Sequence, residues 1–412
     1  MKINKRNICS FLAATTLVAV GAAEAAVHKV HPGDSIQAAI DSASSGDTVL
    51  VWPGTYEENV GSIYGLRITQ DRIRLIGKSR PRDGEEGKVR LIATGDVQTQ
   101  DGTGVYAAPD GCEYNDSECN APDLKRFYIR GFTVEGFGKN GIQTRWVDGF
   151  KLIRNESANN LNNGIYPTLS ANGLVRNNTS YGSLDTAMWV AGSENVRVIG
   201  NELFGSVIGF EITVSNNVVV RSNEIHDNTV GVGLFHPNGA GNPPLDVMEN
   251  WVIEENAIYN NNRVNDAPAG SFQADLPQGG GVLLLGVSDH SVLNNTIEDN
   301  GLVGVAVMSW CSAVYGTANG CETGDFPVTD PSASNNLIDS NTMNGNGFYD
   351  LVGTPFEHLQ VLVADLTYFN IPDLGPIFGE APSGNCFVDN ESDDVLTVSA
   401  PFDGGILPTD GC

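Results

Sequence analysis

The sequence predicts an all-β solenoid of stacked parallel strands, and two observations carry that prediction. First, residues 141–235 divide into segments starting at Gly141, Gly164, Ala187, Gly209 and Gly231, a period of 22 to 23 residues. In each full segment an Asn recurs fourteen positions after the start: Asn155, Asn178, Asn201 and Asn223. A fixed period of this size marks a repeat protein, in which one unit cannot bury its apolar face alone. Second, each repeat holds two short apolar runs of period two, such as Met188-Trp189-Val190 and Val196-Arg197-Val198-Ile199, between linkers rich in Asn, Gly and Ser. Such runs suit strands bounded by turns and are too short for helices. Successive coils then set like strands over like strands, about 4.8 Å apart. The recurring Asn suits a left-handed turn position and an amide ladder. Gly77 and Gly131, in RLIGKS and YIRGFTV, hold the comparable place in earlier coils, where a positive φ is expected.

This pattern resembles the right-handed parallel β-helix repeat family, the pectate lyase-like superfamily. The stretch SIQAAIDSASSGDTVLVWPGTYEE, residues 35–58, is similar to that family's N-terminal signature of a capping helix, GDT, an apolar strand and PGTY-E. The resemblance implies a right-handed parallel β-helix with caps at both ends. It leaves the activity open, because the superfamily includes lyases, hydrolases, epimerases and proteins with no known reaction.

Taken in order, residues 1–25 read as a signal peptide: Lys2, Lys5 and Arg6, an apolar stretch, then Ala23-Glu24-Ala25. The apolar stretch is too short for a comfortable membrane span, so an exported protein (periplasmic, cell-surface or secreted) is expected. Residues 26–47 form an N-terminal cap, with a short helix over 34–45 that places Ile36, Ala39, Ile40 and Ala43 on one face. The β-helix is expected over 48–350, in nine or ten coils. Residues 351–412, Pro-rich and acidic, are expected to cap the C-terminal end. Apart from Cys9 in the leader, six cysteines fall in local couples: Cys112 with Cys119, Cys311 with Cys321, and Cys386 with Cys412. An even count in an exported chain favours disulfides, and local pairing is the expectation.

The formal net charge is −27, with no Lys after Lys151 and no Arg after Arg263. Nucleic acid is therefore an unpromising partner. Acidic composition serves solubility and attracts divalent cations, which makes calcium a candidate cofactor. No CxxC pair and no close His pair marks a metal site.

Four insertions interrupt the repeat: 109–123, 236–249 and 311–334 after the first strand of their coils, and 263–280 before one. Insertions gathered on one face of a repeat protein commonly frame its binding surface. Strand alternation assigns that face. In GIYPT, Ile165 and Pro167 point in, while Tyr166 and Thr168 point out. Across the coils one outward column reads Arg67, Tyr106, Gln143, Tyr166, Trp189, Glu211, Gly233, Leu283 and Ala306. The next contains Arg145, Thr168, Ala191, Thr213 and Phe235. Aromatic rings beside a carboxylate suit a sugar, whose apolar face stacks while its hydroxyls bond the acid. Tyr166, Trp189 and Gln143 are the candidate substrate-binding residues, with a gap expected above Glu211 at Gly233. Glu211, Arg145 and His236 are the candidate catalytic residues. Arg145 stands three coils from Glu211, about 14 Å at the coil spacing, too far for one acid–base pair. Asp185, Asp148, Asp246 and Asp275 lie in turns that could approach Glu211.

The paired aspartates of polygalacturonase-type hydrolases, the DPHD of alginate epimerases and the RxxPxxR of pectate lyases are all absent. The reading that results is an exported solenoid that binds an extended polysaccharide along its first sheet. Its alternatives are a lyase or epimerase acting on uronic-acid glycans, ahead of a hydrolase, and a non-catalytic cell-surface solenoid. The oligomeric state is left open.

Overall fold

In each coil the chain makes three short strands with turns between them, and among the described residues like strands stack into three parallel sheets of 11, 12 and 11 strands. The structure is a computed structural model. It describes residues 25–79, 81–99, 101–235, 248–310, 332–353, 363–370, 383–392 and 394–399. The first sheet contains Ile165–Thr168, Thr186–Ala191, Ile208–Thr213 and Val230–Phe235, the second Ala171–Arg176, Glu194–Ile199 and Asn216–Arg221, the third Thr179–Tyr181, Glu202–Phe204 and Glu224–His226. The sequence pattern marks only two strands per coil. The third is three residues long, too short for alternation to be seen.

One aliphatic column from each sheet fills the interior. On the first sheet Ile142 pairs with Ile165, then Met188, Phe210, Val232 and Val282 follow in register. These side chains, with Val175, Val198, Val220, Leu203 and Ile225 from the other sheets, form one continuous buried core. At the N-terminal end Val27–Val30 pairs with Thr48–Val51, so the second sheet starts within the expected cap. At the other end Ala364–Asn370, Cys386–Val388 and Val395–Ser399 add strands beyond residue 350. Long insertions there stretch the spacing and hide the period.

The capping helix is Ile36–Ser42, with Ile36 and Ile40 buried against the end of the stack. Ser35 caps it by accepting from the Ala38 N–H at 3.1 Å. The Glu58 carboxylate accepts from the Ile36 N–H and from Ser35 Oγ (3.1 Å). The acid of PGTY-E thus caps a helix more than twenty residues earlier in the chain.

The Asn ladder runs through every coil of the regular region. Oδ1 of Asn178 accepts both the backbone N–H (2.9 Å) and Nδ2 (3.1 Å) of Asn155. The same pattern repeats from Asn178 to Asn201 and from Asn201 to Asn223. It continues through Asn256, Asn295 and Asn341 to Asn390. The left-handed residue, however, is the one before each ladder Asn: Arg154 (φ 54°), Asn177 (53°), Gly200 (65°) and Ser222 (54°). Gly131 (φ 75°) matches this position. Gly77 does not adopt positive φ; it is small because the Gly131 carbonyl lies where its Cβ would stand. A second ladder, five residues further on, links Asn228, Asn261, Asn300 and Asn346 and ends on Asp365. Asn201→Leu removes an acceptor of two buried N–H groups and is expected to cost about 1–3 kcal/mol. An unchanged denaturant midpoint would count against a stabilising ladder.

Cys112 and Cys119 form a disulfide, with Cα atoms 5.6 Å apart. Cys386 is also disulfide-bonded. Its expected partner Cys412, and the couple Cys311 and Cys321, lie outside the described residues, as do residues 1–24. Among the described residues no helix is long and apolar enough to cross a membrane.

Candidate functional site

The outward column of the first sheet has the register read from the sequence. Gln143 pairs with Tyr106 and Tyr166, Trp189 with Glu211, Glu211 with Gly233, and Gly233 with Leu283. Its side chains are nonetheless largely covered. Gln143 is 1 % exposed, Arg145 5 %, Tyr166 7 % and Trp189 8 %.

Insertion 109–123 covers the N-terminal part. Arg67 donates to the carbonyls of Ala108 (2.9 Å), Pro109 (2.8 Å) and Cys112 (2.9 Å) and lies over the Tyr106 ring. Arg145 donates to the Asp116 carbonyl and stacks on Trp146, 4.4 Å from its ring. Burial pushes its guanidinium below its ordinary pKa. Gln143 accepts from Asn140 Nδ2 at 2.9 Å. Arg145 and Gln143 are therefore tied into the fold beneath an insertion. Tyr166 and Trp189 stack at 4.6 Å, and the Trp189 Nε1–H donates to Thr213 Oγ1 at 3.0 Å.

The gap expected at Gly233 is filled. The ring of Phe235, two residues along the same strand, folds into the space that a side chain at 233 would take. Phe235 meets Phe272 edge-on at 5.6 Å, and Phe272 stacks on Trp310. Phe272 and Leu276 come from insertion 263–280, which roofs Phe235, Leu283, Leu285 and Met308 with apolar side chains. His236 lies outside the described residues.

Between these two covers the structure brings together a pair that sequence alone cannot place. Asp185 sits in the turn just before Thr186–Ala191. Thr186 Oγ1 lies 3.1 Å from Asp185 Oδ1 and 2.7 Å from Glu211 Oε2, which puts the two carboxyl oxygens within about 6 Å of each other. Gln273, from the roofing insertion, hydrogen-bonds Asp185. A threonine hydroxyl has one proton and so can donate to only one carboxyl. The second contact becomes a full hydrogen bond when one carboxyl of the pair is protonated and donates to Thr186 Oγ1. Burial points the same way. It raises Asp185 to about 7, and burial together with the Asp185 charge holds Glu211 well above the ordinary carboxylate range. The only sequence signal for Asp185 is its place one residue before an outward-facing strand.

A raised carboxyl pKa favours the folded state at low pH, where folded and unfolded chains are both protonated. That stability is lost as pH rises from the unfolded value, near 4, through about 7 for Asp185, and the raised Glu211 adds to the loss in the same direction. The wild-type melting temperature is therefore expected to fall between pH 5 and about pH 8 by more than that of Asp185→Asn/Glu211→Gln. Parallel curves would show that the pair does not titrate as assigned.

Among the described residues no three His, Cys, Asp or Glu side chains gather to hold a metal ion. Asp148 is bonded to Lys125 and Asn172 on the second sheet, away from Glu211.

The family of the right-handed beta helix region matches residues 114–263. The A-module of the Azotobacter vinelandii mannuronan C-5 epimerase AlgE4 shares 15% identity over 91% of this chain and 95% of that one, with a TM-score of 0.60. DFA-IIIase from Arthrobacter chlorophenolicus A6, without its lid, shares 14% over 93% and 91%, with a TM-score of 0.51. The Dettilon tailspike protein shares 14% over 90% of this chain and 60% of that one, with a TM-score of 0.50. No curated protein sequence matches the chain. The protein is a right-handed parallel β-helix protein, and at these identities its likeness to the solved structures is one of fold.

Proposed function

We propose that this protein acts on a polysaccharide between the two insertions that cover the first sheet and cleaves it at Asp185, Thr186 and Glu211. The observation that carries this reading is the buried carboxyl pair sharing one hydroxyl. Two desolvated carboxyls close together are costly, and neighbouring coils show the apolar alternative at the same column, Leu283 and Ala306. A solenoid with only a scaffolding role has no use for the pair. Titratable groups displaced in this way cluster where proton transfer is needed.

The chemistry follows from the two environments. Glu211, the more deeply buried, holds the proton and delivers it to the glycosidic oxygen. Asp185 ionises first and keeps most of the pair's exposure, 8 % against 2 % for Glu211. As a carboxylate it supports the developing positive charge on the sugar, until water adds to C1 and returns its proton to Glu211. A separation below about 6 Å is nearer the roughly 5–5.5 Å of retaining pairs than the 6.5–9.5 Å of inverting ones. Elimination or epimerisation at a uronate needs a cation to neutralise the sugar carboxylate. Among the described residues no Lys or Arg charge acts on either acid. A protonated carboxyl at the site favours cleavage by acid catalysis, and the lyase and epimerase alternatives, which would use a cation such as calcium beside the sugar carboxylate, are outcomes of the test. The epimerase and DFA-IIIase among the fold neighbours support a carbohydrate setting for this fold. Export belongs to the same proposal, and the Cys112–Cys119 disulfide suits an oxidising compartment.

The test is a panel of neutral and acidic glycans assayed for new reducing ends and for unsaturated uronate, with and without calcium. New reducing ends without unsaturated product are expected. Unsaturated ends would replace hydrolysis by elimination. Binding with neither product would leave a carbohydrate-binding solenoid.

A further inference from the structure

The second sheet bears a charge pattern that the first-sheet reading does not use. On its outer face Arg74, Lys151 and Arg197 alternate, coil by coil, with Tyr128, Leu174 and Val219 in one column. In the neighbouring column Arg130, Arg176 and Arg221 alternate with Ile76, Ile153 and Ile199, shifted by one coil. Within these two columns six consecutive coils thus carry one cation each, on alternate sides of the sheet axis. The cations are exposed and the apolar partners half-buried. The pattern ends at the next strand, where Glu254 follows Arg221 in register.

Five of these six charges are not taken up by the protein; the sixth, Arg221, is held by Glu255 at 2.8 Å. On this face Lys125 is paired with Asp148. Among the described residues Arg74, Arg130, Lys151, Arg176 and Arg197 form no ion pair, in a chain whose net charge is −27. A cavity of about 810 Å³ opens at the N-terminal end of the stripe, lined among others by Arg72, Arg74, Arg126, Tyr128 and Lys151.

We infer that this stripe is a second binding surface, and that its ligand is an extended acidic polysaccharide with one carboxylate per sugar. Diagonal neighbours on adjacent strands lie roughly 7–8 Å apart, so the cations form a zigzag that advances about 4.8 Å per coil. An extended ribbon with near two-fold symmetry sends successive carboxylates out from opposite edges and matches that zigzag. The aliphatic side chains between the cations fit the apolar faces of the sugar rings. At physiological salt the screening length is about 8 Å, so an anion on the stripe is shielded from much of the acidic surface elsewhere. A duplex nucleic acid wants a broad basic face in a basic domain; here the cations form a narrow stripe in a chain of net charge −27. The inference rests on the second sheet alone and stands whether or not the first sheet cleaves glycans.

The experiment is calorimetric or electrophoretic binding of the full chain to polygalacturonate and polymannuronate, with dextran, duplex DNA and anionic vesicles as comparisons. Wild type is expected to bind the polyuronates, more weakly as salt rises, and not dextran. Arg130→Gln/Arg176→Gln is expected to weaken this binding about tenfold or more at low salt, with an unchanged melting temperature. Arg130→Lys/Arg176→Lys is expected to keep most of it, as a charge-driven contact should. Arg130→Gln/Arg176→Gln should leave glycan turnover at the first sheet unchanged, so loss of polyuronate binding without loss of turnover, or the reverse, separates failure of this surface from failure of the first-sheet reading. Polyuronate binding that survives the double Gln variant, no binding at low salt, or preference for DNA or vesicles would each overturn the inference.

Discussion

Glu211→Gln is expected to lower glycan turnover by about 10²–10⁴-fold while the chain stays folded. The amide keeps the size of the side chain and can still bond Thr186 Oγ1, 2.7 Å from the present carboxyl oxygen. It has no proton to release to a leaving group. It also removes the interaction with Asp185 that helps to hold Glu211 protonated. The variant should therefore be less active and, above about pH 7, more stable than wild type, because a buried acid that resists ionisation has been replaced by a neutral group. Loss of activity together with a gain in alkaline stability is the signature of a group kept for chemistry. Asp185→Asn should also lose activity, since the amide cannot carry the negative charge that supports the sugar cation. Unchanged turnover in both variants would place the chemistry elsewhere and leave the pair without a role.

The fold could be read from the sequence because its repeat is set by backbone rules that local composition reports. The Asn ladder, the outward column from Tyr166 to Glu211 and the Cys112–Cys119 couple all depend on spacing, and spacing is visible. The left-handed turn residue is hidden beside the ladder Asn, because the residue before it is Arg, Asn, Gly or Ser and shows no pattern. The third sheet leaves no alternation to read, because nearly all its strands are three residues long or shorter. The site was only half legible. Period two correctly puts Trp189 and Glu211 on the outer face, but it cannot say what covers that face. Coverage comes from insertions with no period, which is why the Arg145–Asp116 contact, the Phe272 roof and the approach of Asp185 to Glu211 required the structure. The fold of Phe235 back over Gly233 is a rotamer choice within a single strand, and alternation carries no information about it. The alternation of cations on the second sheet was open to view in the sequence, yet it acquires meaning only when register sets Arg130 beside Ile76 and Ile153.

The glycines that open each repeat set the tightest packing requirement of the coil, and Gly209→Val is expected to destabilise the protein by about 3–5 kcal/mol. A Cβ at Gly209 would lie 2.5 Å from Ile225 Cγ2, 2.6 Å from Asn228 Nδ2 and 2.8 Å from the Gly231 carbonyl of the next coil. Two of these atoms belong to the core column and to the second amide ladder, and neither can move without breaking contacts in adjacent coils. Gly231 and Gly281 face the same partners, Ile258 with Asn261 and Ile297 with Asn300. The exception is Ala187. There the residues at the equivalent places are Leu203, which has no branch at Cβ, and Ser206, which is smaller than Asn. Gly209→Ala combined with Ile225→Leu and Asn228→Ser copies that coil, and should recover most of the stability that Gly209→Ala loses alone. Denaturant midpoints of the single, double and triple variants measure the coupling directly. If Gly209→Val unfolds no more readily than wild type, or if the companion changes merely add to the loss, the steric account of the repeat glycine is wrong.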